Sequence, residues 1–144
     1  MKALTLLILR ITTGLLLILW GSIKLMAPKA AIHVSDKFYH GALSGHALQL
    51  PLGIAEIALG ALVVVGLLRV VVLPAQALVL GIGLVAIWKY VLDPFGLYLV
   101  APDAREPLFF PSLIVFAASC ALIAFREFDA YALDRAFHRS DTTA

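Results

Sequence analysis

Residues 4–25 read LTLLILRITTGLLLILWGSIKL, an apolar run of 22 residues with only two charges, Arg10 and Lys24. A helix of roughly 20 apolar residues crosses the ~30 Å hydrocarbon core of a bilayer. The run is longer than the roughly 7 to 15 apolar residues of a cleaved secretory signal, and it contains an arginine. We therefore interpret it as a retained membrane-spanning helix.

Three further stretches of the chain have the same character. They span residues 48–68, 70–92 and 108–125. We predict an all-α fold in which residues 1–125 form a single domain, a membrane-embedded four-helix bundle. The tail, residues 126–144, is predicted to form a short amphipathic helix on the cytoplasmic membrane surface, because apolar positions such as Phe128 and Phe137 lie between charges.

Composition supports a membrane protein and excludes several other classes. Hydrophobic residues make up 62% of the chain and charged residues 14%, against roughly 45–50% and 25% in soluble domains. The net charge of +2 is scattered rather than clustered, so membrane lipids and not nucleic acids are the predicted partners. The single cysteine, Cys120, excludes an intrachain disulfide and an internal dithiol relay.

The charges in the loops predict an orientation for the bundle. An even number of spans places both termini on one side of the membrane. That side carries Lys2, Arg69, Arg126, Arg135 and Arg139. The loops on the other side carry fewer basic residues, and the positive-inside rule therefore predicts that both termini are cytoplasmic.

A few ionisable residues lie within the predicted spans and are the candidates for a site. Each costs about 2.5–3.5 kcal/mol at the centre of a membrane helix, so it persists only when it is partnered or useful. Arg10, Gly14, Gly21 and Lys24 recur at helical spacing on one face of the first span, and Glu56 is the only carboxylate within the second. We therefore predict a buried network of Arg10, Glu56 and Lys24.

The network has two interpretations, a ligand site and a device that fixes the register of the helices. Lys89 would add a third cation facing one carboxylate, a surplus that suits an anion, a quinone carbonyl or a lipid headgroup, although Asp93 could neutralise Lys89 locally. The aromatic residues Trp20 and Tyr90 lie near the same end, but aromatic belts are common at membrane surfaces. The candidate ligand-binding or buried-charge residues are Arg10, Lys24, Glu56, Lys89, Trp20 and Tyr90.

The first long loop contains three histidines whose role the sequence leaves open. His33, His40 and His46 are separated by seven and six residues, which does not match the three-to-five-residue spacing of metal ligands. We predict no metal site and, as an alternative, a partly helical flap over residues 29–46. The chain contains no catalytic triad, phosphate-binding loop or paired-cysteine motif, so no catalytic residue is assigned.

Several short motifs together resemble the DoxX-like family of small four-helix integral membrane proteins. The motifs are Leu9-Arg10 with Gly14, Trp20-Gly21 with Lys24-Leu25, Glu56 with Gly60 and Gly66 before Arg69, and Tyr131-Ala132-Leu133-Asp134 after the last span. The chain departs from the family pattern in its histidine-rich first loop and in lacking the usual glycines around residues 126–129. The resemblance implies a bacterial or archaeal cytoplasmic membrane protein.

The resemblance also implies a function. Some proteins of this family are subunits of thiosulfate:quinone oxidoreductase, and others are part of membrane complexes that handle thiol or oxidative stress. We therefore expect at most a subunit of a quinone-dependent oxidoreductase, with a quinone as candidate cofactor and none intrinsic. The alternative is a noncatalytic assembly or scaffold partner for another membrane or redox protein, or a homo-oligomer. A small-solute carrier is a third hypothesis, and it would require oligomerisation.

Overall fold

The computed structural model describes residues 1–135 and confirms the all-α prediction: within that part of the chain there are helices and turns and no strand. The helices are α1 (Lys2–Met26), α2 (Pro28–Phe38), α3 (His46–Val65), α4 (Arg69–Ala86), α5 (Trp88–Leu92) and α6 (Pro111–Ala124), with 3₁₀ turns at Pro107–Phe109 and Arg126–Phe128. Four helical stretches are long and apolar enough to cross a membrane, namely α1, α3, α4 and Pro107–Ala124.

The bundle is apolar outside and partly polar inside, the reverse of a soluble domain. Large aliphatic side chains such as Leu19, Ile54 and Val71 are exposed on the helix surfaces. The most deeply buried residues include Arg10 and Gln76 beside apolar ones. Lipid tails can cover the outer faces, so this distribution agrees with a membrane environment.

The end of α3 differs from the predicted boundary for a local reason. The sequence predicted a span to residue 68, but α3 ends at Val65 because Gly66 takes the left-handed conformation, with φ of 72°. The N–H groups of Gly66 and Leu67 both donate to the Leu62 carbonyl, which ends the helix in a glycine cap. The third predicted span, residues 70–92, is likewise divided into α4 and α5 at Ile87.

The closest packing in the bundle is between α1 and α3, and glycines permit it. A Cβ added to Gly14 would lie 2.8 Å from the Gly60 carbonyl oxygen, and one added to Gly21 would lie 2.6 Å from that of Gly53. Any larger residue at these positions would separate the two backbones. The glycines predicted to line one face of the first span therefore bring α1 and α3 into direct backbone contact.

The loops at the end opposite the termini are ordered. Most of the predicted flap is helical, as α2, and the Leu43 N–H donates to the Ser35 hydroxyl. In the loop after α5, the Asp93 carboxylate accepts four backbone N–H groups, those of residues 97, 98, 99 and 100. These bonds lower the pKa of Asp93 below its ordinary value, the Leu97 N–H contributing most, against the opposing effect of burial.

Of the predicted amphipathic surface helix, the structure describes residues 126–135, and a helical segment begins there at residue 133. A 3₁₀ turn follows α6, and residues 129–135 then fold back against the bundle, with Asp129 and Ala132 buried. Arg10 and Arg69 hold this segment against the bundle. The remainder of the predicted helix, including Phe137, lies outside the described residues.

Candidate functional site

An ion pair joins α1 and α3 near the end of the bundle opposite the termini. Lys24 Nζ lies 2.8 Å from Glu56 Oε1 and 2.7 Å from Oε2. The side chains are 12% and 18% exposed. The predicted contact between Lys24 and Glu56 is thus confirmed. It forms because Gly21 and Gly53, three residues before each partner, hold the two helices together at this level.

Tyr39 adds a hydroxyl to this end of the bundle. It follows α2, and its Oη lies 3.3 Å from where a Cβ of Gly83 would be, so it reaches toward α4. Burial, and secondly the negative charge of Glu56, raise the pKa of Tyr39. The hydroxyl therefore stays protonated at neutral pH, and it has no hydrogen-bond partner among residues 1–135. We call Lys24, Glu56 and Tyr39 the outer polar site, a name that refers to the end of the bundle opposite the termini.

Aromatic side chains stand near the outer polar site. Phe38 and Phe109 pack edge to face at a centroid distance of 4.8 Å, and Tyr90 contacts both rings at 5.3 and 5.7 Å. This cluster ties α2, α5 and the 3₁₀ turn before α6 together. Trp20 is exposed on the surface of the bundle, with its ring centroid 6.0 Å from Lys24 Nζ, within range of a cation–π contact.

Lys89 does not join the predicted network. Its side chain is exposed and lies over the ring of Trp88, with Nζ 5.8 Å from the centroid, and no carboxylate of the described residues pairs with it. Asp93, which the sequence offered as its local partner, is engaged by the backbone of its own loop. Lys89 therefore contributes no surplus charge inside the bundle.

Arg10 is also absent from the outer polar site, and the prediction of a single Arg10–Glu56–Lys24 network was wrong in this respect. Arg10 Nη1 lies 3.1 Å from Asp129 Oδ2, and Nη2 donates to the Tyr131 carbonyl at 3.0 Å. The reason is depth. Arg10 packs over Gly66, ten residues and about 15 Å of helix from Glu56, so the returning tail supplies a nearer carboxylate.

The terminal end of the bundle therefore holds a second charge cluster, which we call the tail lock: Arg10, Arg69, Asp129 and Asp134. Arg69 Nε lies 3.2 Å from Asp134 Oδ2, and Arg69 Nη1 lies 3.5 Å from Asp129 Oδ2. Asp134 also accepts the backbone N–H groups of Leu68 and Arg69, at 2.8 and 2.9 Å.

Asp134 thus caps the first turn of α4, a favourable position for a carboxylate. Burial alone would raise the pKa of Asp134. The N–H groups of Arg69 and Leu68, with the Arg69 guanidinium, outweigh that effect and lower it. The family resemblance includes Tyr131–Asp134, but no sequence pattern assigns these residues or Asp129 a role in pairing with the arginines.

Gln76 is a further polar residue that the sequence analysis overlooked. Its side chain lies inside the bundle at 0% exposure, and neither amide atom has a hydrogen-bond partner in the described part of the chain. An unpaired buried amide is costly. The only signal in the sequence was a single glutamine within an apolar span.

The described residues do not group any three histidine, cysteine, aspartate or glutamate side chains closely enough to hold a metal ion. His33, His40 and His46 are all exposed. Comparison of the chain with protein-family models, with curated proteins and with solved structures finds no match.

Proposed function

We propose that this membrane protein is an accessory subunit of a quinone-linked redox system and binds a quinone headgroup at the outer polar site. The observation that carries the proposal is the Lys24–Glu56 pair, which is enclosed in the bundle, only partly exposed, and accompanied by a protonated tyrosine hydroxyl. The sequence resemblance to DoxX-like proteins supports the same class of function. The described ends share one face of the bundle, and we propose that this face is cytoplasmic.

The residues of the outer polar site fit a quinone. A quinone carbonyl accepts hydrogen bonds, and two donors are at hand: the ammonium of Lys24, which has a third N–H beyond its two carboxylate contacts, and the hydroxyl of Tyr39. The ring cluster of Phe38, Tyr90 and Phe109 offers an apolar neighbour for a flat headgroup. These features explain why a lysine and a glutamate are retained at this depth.

Each side chain would have a separate task. Glu56 pairs with Lys24 and keeps it pointing into the bundle, while Lys24 polarises a carbonyl oxygen and Tyr39 donates a hydrogen bond or a proton. A bound quinone would supply the electron-accepting chemistry, which needs a partner protein as electron donor because these side chains are not redox carriers.

Binding of a short-chain ubiquinone analogue to the protein in nanodiscs tests the proposal. Lys24→Met and Glu56→Gln should each weaken affinity by about 10- to 100-fold, because a hydrogen bond to a charged group contributes about 1.5–3 kcal/mol. Lys37→Met is the matched control, since Lys37 forms a 2.8 Å pair with Glu106 at the same end but on the exposed surface. Absence of binding by the wild type, or equal affinity in Lys24→Met, would refute the proposal.

A second candidate, a noncatalytic assembly or scaffold partner, is favoured by the exposure of α6. Only 11% of the span that contains α6 is buried, and Ser119 and Leu122 are its buried residues. Gly14 and Gly60 face each other inside the bundle, so a partner would contact α6 instead. Ala117→Phe should then abolish copurification of a partner in mild detergent, whereas Glu56→Gln should not. The reverse pattern would exclude docking through α6.

A further inference from the structure

A cleft of about 450 Å³ opens at the terminal end of the bundle, between the α3–α4 turn and the returning tail. Its wall is aliphatic and includes Leu67, Val70 and Val71, and its polar rim is formed by Arg69, Arg126 and Asp134. The combination of an apolar wall with a charged rim distinguishes this cleft from the apolar helix faces around it.

The rim has one cation that nothing in the described chain neutralises. Asp134 is bound by Arg69 and by two backbone N–H groups. Arg69 in turn pairs with Asp134 and Asp129 and donates hydrogen bonds to two carbonyl oxygens. Arg126, in contrast, forms no ion pair among residues 1–135. The cleft therefore presents an available guanidinium beside a neutralised pair.

The depth of the cleft restricts what can occupy it. It lies where α3 ends, α4 begins and α6 has just ended, which is the level at which hydrocarbon meets headgroups. Val70 and Val71 are 66% and 68% exposed, so an acyl chain can lie along them, and Arg126, which follows α6, is at the end of the bundle where a phosphate would lie. The surrounding end is cationic, because its described part has five basic side chains and three carboxylates. These are Lys2, Arg10, Arg69, Arg126 and Arg135 against Glu127, Asp129 and Asp134.

We propose that this cleft binds one anionic phospholipid, with its phosphate on Arg126 and an acyl chain along Val70 and Val71. Guanidinium groups pair well with phosphate, and basic pockets at this level of a helical bundle select anionic headgroups. The site is independent of the outer polar site, which lies at the opposite end of the bundle.

Native mass spectrometry of the detergent-solubilised protein, titrated with phosphatidylglycerol or phosphatidylcholine, tests this inference. The wild type should retain one phosphatidylglycerol in preference to phosphatidylcholine. Arg126→Gln should reduce that preference about fivefold, the effect of one basic residue at a membrane surface. Arg126→Lys should keep most of it, and the exposed outer-loop variant Arg105→Gln should keep all of it.

Several results would overturn the inference. They are equal retention of the two lipids by the wild type, an unchanged preference in Arg126→Gln, and an equal loss in Arg105→Gln. Addition of inorganic phosphate separates a lipid site from a simple anion site. If millimolar inorganic phosphate and added phosphatidylglycerol displace the bound phosphatidylglycerol equally well, the acyl chain contributes nothing to binding and the lipid assignment is wrong.

Discussion

Arg10 and Lys24 lie on one helix, yet each is neutralised by a different part of the chain. Lys24 reaches Glu56 on the neighbouring span, and Arg10 reaches Asp129 in the tail. Arg10 and Asp129 are only 1% and 2% exposed, so removal of either partner would leave a charge buried without a counterion. The outer pair is more accessible and is therefore the better candidate for ligand exchange.

A double-substitution cycle on the outer pair separates a stabilising role from a binding role. Lys24→Met and Glu56→Leu should each lower the free energy of unfolding by about 1.5–3 kcal/mol, because each leaves a charged partner unpaired. The combined Lys24→Met/Glu56→Leu protein should recover most of that stability, since apolar replacements of a buried pair are often neutral. Thermal unfolding in detergent measures the effect, and additive losses would contradict a direct interaction.

Substitution of Gln76, in contrast, should raise the free energy of unfolding. Gln76→Leu should increase the free energy of unfolding by about 1–2 kcal/mol, because it removes a buried amide with no partner at little change in volume. Gln49→Leu is the control: Gln49 is also buried, but its amide nitrogen donates to the Leu43 carbonyl, so this substitution should destabilise. A lower melting temperature for Gln76→Leu would indicate that the amide has a necessary partner.

Among the helices, the α1–α3 pair determines where the outer polar site lies. Gly14 with Gly60 and Gly21 with Gly53 set the separation of the two backbones at two levels seven residues apart. Glu56 lies between these levels on α3. The position of its carboxylate relative to α1 therefore depends on glycine contacts above and below it.

Enlarging one glycine in this interface tests that dependence. A Cβ on Gly60 would lie 2.5 Å from the Gly14 carbonyl oxygen, so Gly60→Leu should cost at least about 1–3 kcal/mol of stability, the usual cost of overpacking. Ala61→Leu, one residue along and exposed, should leave the melting temperature nearly unchanged. Similar behaviour of the two variants would refute the close packing.

The loop after α5 should respond to acid through Asp93. Its folded pKa is lower than the unfolded value of about 3.9, so its stabilising effect is complete above that value and declines as the pH falls below it. Asp93→Asn should therefore melt at a lower temperature than the wild type at pH 7, and the difference should shrink below about pH 4. A difference that is constant with pH would exclude the carboxylate as the cause.

For the molecule as a whole, the tail lock closes the end of the bundle that carries both described ends of the chain. Through Arg10, Arg69, Asp129 and Asp134, the segment after α6 is tied to α1 and to the start of α4. Lys2 also lies over the Phe128 ring, 4.9 Å from its centroid. Electrostatic contacts rather than an extended apolar interface thus anchor this segment.

Truncation tests the importance of the tail lock. A chain ending at Phe128 loses both carboxylates, leaves Arg10 and Arg69 unpaired, and should be destabilised by about 3–5 kcal/mol or fail to fold. A chain ending at Arg135 keeps all the contacts of the tail lock and should melt at a higher temperature than the chain ending at Phe128. Equal melting temperatures for the two truncated proteins would show that the tail contributes little to the bundle.

Much of this architecture follows from local patterns in the chain. Hydropathy over residues 4–25 and the later stretches predicted the four spans, because the bilayer requires an apolar helix of a certain length whatever its neighbours are. Helical spacing likewise placed Lys24 and Glu56 on facing sides of adjacent spans. Adjacent antiparallel helices leave few alternative partners for such residues.

The partners of Arg10, the burial of Gln76 and the break between α4 and α5 did not follow from these patterns. Arg10 could be paired with Glu56 or with an acid from the tail, and the path of residues 129–135 back to Gly66 settled the choice. Spacing along one helix predicts which residues share a face. It does not predict which distant segment of the chain packs against that face, because the path of that segment depends on the packing of the whole bundle.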